Sequence, residues 1–153
     1  MLAFLQKADS PDSGMIAQLP SDWSLHPRLE KDTVAVCDLA LSRILVMNDA
    51  NFPWLVLVPR RYGAIELIDL AEHDRTTLMA EIAQVGRALK TLTMCDKLNI
   101  AAIGNIVPQL HVHIIARRRG DAAWPKPAWG HAAPLDYDQR ALARLVEQLR
   151  DRL

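Results

Sequence analysis

The sequence predicts an α+β domain: a mostly antiparallel five-stranded sheet with one long helix and a carboxyl-terminal helix. Three observations carry this. Runs of β-branched and aliphatic residues cluster early in the chain, a single long stretch with helical apolar spacing follows, and two more short apolar runs precede a final amphipathic stretch. Strands and helices do not alternate, which argues against a doubly wound parallel sheet.

Residues 1–20 contain a breaker cluster, Asp9, Ser10, Pro11, Asp12, Ser13 and Gly14, and read as a poorly packed extension; residues 21–153 then form a single domain. TVAVCDL (33–39), SRILVMN (42–48) and WLVLVPR (54–60) are strand-like and separated by short polar breaks, the pattern of an antiparallel meander. Asp69 followed by Glu72 reads as a capping box, and Leu78, Met79, Ile82, Val85, Leu89 and Leu92 continue at helical spacing, giving a helix over about 70–94. KLNIAAI (97–103) reads as a strand, Gly104 to Pro108 as a turn, and LHVHIIA (110–116) as a strand ending at Arg117, Arg118 and Arg119. AAWPKPAWGHAAP (122–134) is too rich in proline for regular structure and reads as a loop laid over the sheet. Asp136 with Gln139 repeats the capping signal ahead of Leu142, Leu145, Val146 and Leu149, the apolar stripe of the last helix.

The composition excludes several classes. With 153 residues, 50% hydrophobic and 24% charged, the chain suits one soluble domain with a sizeable core. Lys+Arg and Asp+Glu both number 18, so no net field recruits nucleic acid, and any anion preference must be local. Cys37 and Cys95 belong to no metal or redox spacing, and a reduced, cytoplasmic protein is expected. No apolar run reaches the length of a membrane span, and the amino terminus lacks the basic region of a secretory signal.

The chemistry is concentrated in GNIVPQLHVHII (104–115). On a strand, side chains alternate, so Gln109, His111 and His113 share one face while Leu110, Val112 and Ile114 enter the core. Neighbours in that row stand about 7 Å apart, close enough to converge on one phosphate. Imidazole is substantially unprotonated near neutral pH and can attack phosphorus, provided an acceptor holds its second nitrogen. Spacing alone leaves an anion site, a metal site and a structural polar face open. A metal site on His111 and His113 would need a third ligand from His26, His73, His131 or Cys37, none in a recognisable ligand spacing. No Gly-Lys-Ser/Thr follows Gly104, so Walker-type ATP binding has no support.

The segment resembles the signature of the histidine-triad (HIT) family, H-φ-H-φ-H-φ-φ with φ apolar, and the order of elements over about residues 30–120 is also similar. The resemblance implies that His111, the middle position, is the nucleophile and that His113 acts around the phosphate oxygens and leaving group. Gln109 stands where the family has its first histidine, and an amide can orient or bind but cannot exchange protons near neutral pH. Asn48 sits where the family often binds ribose, and Asn105 stands for a glutamine that contacts a bridging or leaving oxygen. Ile106 replaces a common Ser or Thr, and Trp54 replaces a common histidine.

The implied activity is hydrolysis or nucleotidyl transfer at the α-phosphate of a nucleoside phosphoanhydride or phosphoramidate, such as a dinucleoside polyphosphate, through a covalent nucleotidyl-histidine. The alternatives are a nucleotide-binding module with little turnover and the metal site already described. The resemblance further implies a homodimer and no cofactor beyond magnesium complexed with substrate phosphates. Arg60, Arg61, Arg117, Arg118 and Arg119 are candidates for phosphate contact as well as for solvated surface. Trp124 and Trp129 could stack on a base or simply pack.

Overall fold

A computed structural model describes residues 22–153. The expected extension over residues 1–20 lies outside them. A short helix, α1 (Pro27–Asp32), leads into strands β1 (Thr33–Asp38), β2 (Ser42–Met47) and β3 (Trp54–Pro59). Helix α2 (Glu72–Thr93), strands β4 (Lys97–Ala101) and β5 (Val112–Arg117), and helix α3 (Gln139–Arg150) complete the chain. The sheet order is β1-β2-β3-β5-β4, and every neighbouring pair is antiparallel. The long connection through α2 carries the chain past the site where β5 inserts, so β5 lies between β3 and the edge strand β4.

Both faces of the sheet are covered, which is why the central strands read as unbroken apolar runs: all six residues of β3 and of β5 are buried. Val36, Ile44, Val46, Leu55, Leu57, Leu110, Val112 and Ile114 pack beneath α2 and α3, whose Leu78, Val85, Leu89, Val146 and Leu149 complete the larger core. The opposite face carries Leu45, Trp54, Val56, Val58 and Ile115, under Leu29 of α1, Phe52 and the 123–132 segment. Strand alternation assigns each residue to its face. Among the described residues no helix is long and apolar enough to cross a membrane.

The structure departs from the sequence reading at three helix starts. Helix α1 has no counterpart in the sequence pattern; it is six residues long, too short for a periodic signal, and begins at Pro27 behind His26, whose Nδ1 accepts the Arg28 N–H at 3.1 Å. The Asp69 and Glu72 pair does not cap α2. Ala71 is the residue at the cap, and the Asp69 carboxylate instead accepts the N–H groups of Ile65 and Glu66 in the preceding turn. Asp138, not Asp136, caps α3, accepting from Arg140 and Ala141.

The 22-residue helix α2 is tied to the meander by a buried carboxylate. Glu81, 4% exposed, accepts the N–H groups of Leu41 and Ser42 at 2.7 and 3.0 Å, satisfying the backbone of the β1–β2 connection. Arg117 does similar work at the far end of β5. It is 1% exposed, meets Asp121 through two hydrogen bonds of 2.7 and 2.8 Å and Asn99 through a third, and lies against the rings of Phe52 and Trp124.

Candidate active site

The chain enters β5 through a bend rather than an extended run. Leu110 donates its N–H to the Ala64 carbonyl at 2.9 Å, and regular pairing begins only at Val112. Leu110, Val112 and Ile114 still share one core, but the chain bends at Gln109, ahead of the strand. His111 and His113 stay together, with ring centroids 4.8 Å apart and planes at 80°. Gln109 does not join them: its Oε1 accepts the His26 N–H and its Nε2 donates to the Ser24 carbonyl, both at 2.9 Å. The expected row of three thus becomes a pair, and the Gln109 amide fastens the segment ahead of α1 instead of facing a phosphate. The Gln109 carbonyl remains at the site, because it meets Nδ1 of His111 at 2.6 Å.

That contact defines the tautomer of His111. A carbonyl only accepts, so Nδ1 carries a proton and, in the neutral ring, Nε2 carries the lone pair. The second imidazole is set the opposite way. The indole N–H of Trp54 donates to Nδ1 of His113 at 2.9 Å, which leaves the lone pair on Nδ1 and the proton on Nε2. Register explains the encounter: Val56 of β3 pairs with His113 of β5, so Trp54 stands two residues along on the same face. Burial, and secondarily the neighbouring His111, lower the His113 pKa to about 4, so this ring is neutral near pH 7.

Both histidines line a cavity of about 780 Å³. Its apolar wall includes Leu29, Met47, Val107 and Trp129, and its polar lining includes Arg28, Lys31, Asn48 and Asn105. Asn48 and Asn105 therefore both reach the cavity, from the end of β2 and from the β4–β5 loop. The Asn48 amide is itself held: its Nδ2 donates to Asp136 at 3.0 Å and its Oδ1 accepts from the Tyr137 N–H at 3.1 Å.

These contacts belong to a strap, residues 129–137, clamped over the β2–β3 turn. Asp49 accepts the Leu135 N–H, Ala50 donates to the Leu135 carbonyl, and Asn51 donates to the Ala133 carbonyl. The strap presses Trp129 edge-on against Trp54 and His113, at centroid distances of 5.2 and 5.3 Å. Trp129 thus belongs to the cavity wall, whereas Trp124 packs by Arg117.

The arginines singled out in the sequence have other partners. Arg61 grips Asp74 with bonds of 2.6 and 2.7 Å, and Arg60 binds Asp38 and the carbonyls of Leu39 and Leu41. Arg117 is committed as described, Arg118 reaches the Thr93 carbonyl, and Arg119 is not among the cavity residues. The cations that do line the cavity, Arg28 and Lys31, come from α1, and only the H-P-R-L-E-K-D run could have signalled them. Among the described residues no cluster of three or more His, Cys, Asp or Glu is arranged to hold a metal, and His26, His73, His131 and Cys37 do not gather around the pair.

Fold and site together define a class: an α+β domain whose fifth strand, with the residue just ahead of it, delivers two imidazoles of opposite tautomer into one cavity. The chain belongs to the histidine-triad family, and the HIT domain matches residues 28–120. A histidine triad protein from Bradyrhizobium japonicum is 59% identical, with a TM-score of 0.84, covering 85% of this chain and 97% of that one. Histidine triad proteins from Sinorhizobium meliloti and Marinobacter aquaeolei are each 39% identical, with TM-scores of 0.84 and 0.83. They cover 86% of this chain each, and 98% and 96% of their own. Among curated proteins none matches. The family comprises nucleotide-binding proteins, in general hydrolases or transferases, with some members that are not catalysts.

Proposed function

We propose that this protein is a nucleotide hydrolase or nucleotidyl transferase that attacks the α-phosphate of its substrate with Nε2 of His111. One observation carries the reading: the 2.6 Å contact between Nδ1 of His111 and the Gln109 carbonyl leaves the attacking nitrogen with its lone pair, in a ring that also lines the cavity. The nucleotidyl-histidine then yields to water or another acceptor, dividing one difficult displacement into two. As charge develops on the phosphate oxygens, Nε2–H of His113 and the Asn105 amide are donors available to stabilise it. Arg28 and Lys31 bring positive charge to the polyphosphate, and the apolar wall with Trp129 suits a base. Asn48, pinned by Asp136 and Tyr137, is assigned to the ribose. The working unit is a homodimer, the substrates are dinucleoside polyphosphate-like compounds, and the only metal is magnesium carried by their phosphates.

The test is single-turnover labelling with an adenylylated polyphosphate. Wild-type protein is expected to form a covalent adenylyl adduct at residue 111 and release a nucleoside monophosphate. His111→Ala should abolish the adduct and lower turnover by about a thousandfold or more. Full turnover by that variant would refute the assignment. A nucleotide-binding module with little turnover is the second reading, favoured by the turned-away Gln109 amide; binding without adduct or product would establish it.

A further inference from the structure

We infer that this cavity selects substrates whose leaving group departs as a stable anion, phosphoanhydrides above all, and turns over nucleoside phosphoramidates of alkylamines poorly, because Trp54 fixes His113 as a donor with no proton to release. The inference rests on the nucleophilic role proposed for His111 and narrows its substrate class.

An indole nitrogen donates and never accepts. With Trp54 Nε1 at 2.9 Å from Nδ1, the single proton of His113 resides on Nε2. Giving that proton away would leave an imidazolate whose only partner at Nδ1 is a neutral N–H. Taking a second proton at Nδ1 would break the Trp54 bond and place a cation in a wall formed by Trp54, Trp129 and His111, where His113 is 5% exposed. His113 can therefore hydrogen-bond a phosphate or bridging oxygen but cannot protonate a departing atom. Nor do the other residues of the triad segment provide a relay, since the Gln109 side chain is bound to Ser24 and His26. Of the remaining charged groups in the lining, Arg28 does not deprotonate and pairs with Asp32; Asp49 and Asp136 are committed to Leu135 and Asn48, and Lys31 is exposed at the end of α1.

The chemistry then divides by leaving group. In the first step the lone pair of His111 Nε2 forms the N–P bond, and the P–O bond to the leaving group breaks with its electron pair remaining on that oxygen. A phosphate or nucleotide leaves as a stable oxyanion without a proton. His111 keeps its Nδ1 proton on the Gln109 carbonyl. In the second step water forms a P–O bond, the N–P pair returns to Nε2, and the proton lost by water goes to solvent. An alkylamine must instead receive a proton as it departs, and a positioned acid for that transfer is worth about 100-fold or more in rate. Trp54 acts through His113 and is a positioning residue.

The experiment compares wild-type kcat/KM for a diadenosine polyphosphate, adenosine 5′-(p-nitrophenyl phosphate) and an adenosine 5′-phosphoramidate of a primary alkylamine. The anhydride and the nitrophenyl ester are expected to exceed the phosphoramidate by about 100-fold or more. Trp54→His, which supplies a ring able to accept and pass protons, should narrow that gap. Nitrogen-15 NMR of the wild-type imidazoles provides an arm independent of variant folding: Nδ1 of His113 should be the unprotonated nitrogen and Nε2 the protonated one. Equal turnover of phosphoramidate and anhydride, or a proton on Nδ1 of His113, would overturn the inference while leaving the His111 nucleophile intact. Absence of both adduct and product with every substrate would instead remove the nucleotidyl-transfer reading itself, and this inference with it.

Discussion

At the scale of single residues, the titration of His113 couples the site to stability. Its folded pKa of about 4 lies below the unfolded value near 6.5, so the unfolded chain binds a proton that the folded chain refuses. Stability is therefore fully present above pH 6.5 and declines as the pH falls towards 4, by about 2 kcal/mol between pH 7 and 5. His113→Asn, whose carbonyl can still accept from Trp54, should remove that component. Urea titrations of both proteins at the two pH values check it, and parallel losses would count against a neutral His113. Gln109 gives a second expectation. Its amide joins the backbone of Ser24 and His26, so Gln109→Ala should cost about 1–2 kcal/mol of stability while changing turnover only a few-fold. A large fall in kcat with unchanged stability would return the amide to the chemistry.

At the scale of elements, the end of α2 carries avoidable strain. Met94 closes the helix with φ 51°, a left-handed conformation that costs a residue bearing Cβ about 1 kcal/mol, and its side chain is 77% exposed. Met94→Gly should raise stability by roughly 0.5–1 kcal/mol, read as a shift in the urea midpoint with an unchanged slope. The opposite sign is expected at Glu81, because Glu81→Leu leaves two buried N–H groups at Leu41 and Ser42 without an acceptor, a loss of about 2–4 kcal/mol. The elements themselves were largely readable in the sequence. Five strands and two helices announce themselves because each buries enough apolar surface to impose a period or a continuous run. Helix α1 escaped because six residues hold one buried side chain, Leu29. The caps escaped because Asp69, Asp136 and Asp138 are equivalent in type, and only tertiary contacts decide which backbone each one serves.

At the scale of the whole molecule, the site is assembled from segments far apart in the chain. The histidine pair was legible because both residues lie in one segment with an apolar rhythm. What surrounds them was not: Trp54 reaches His113 across 59 positions, Gln109 reaches His26 across 83, and Asn48 reaches Asp136 across 88. The partners of the arginine runs were hidden for the same reason, since Asp74 and Asp121 meet Arg61 and Arg117 only after folding. The strap shows the consequence for binding. Asp49 receives the Leu135 N–H and two bonds from Asn51, so Asp49→Ala should loosen residues 129–137 and release Trp129 from the wall. The expected result is faster amide exchange across the strap and a raised KM for nucleotide, with a smaller effect on kcat. Unchanged exchange there would make the clamp redundant.

The edge-on packing of Trp54 and Trp129 around His113 gives the protein a built-in optical gauge. Two fluorophores line the cavity proposed to take the nucleotide, so occupancy should alter their emission without any label. Loss of that response on replacing Trp129 with phenylalanine would locate the signal, and the same curve would yield an affinity for each nucleotide offered.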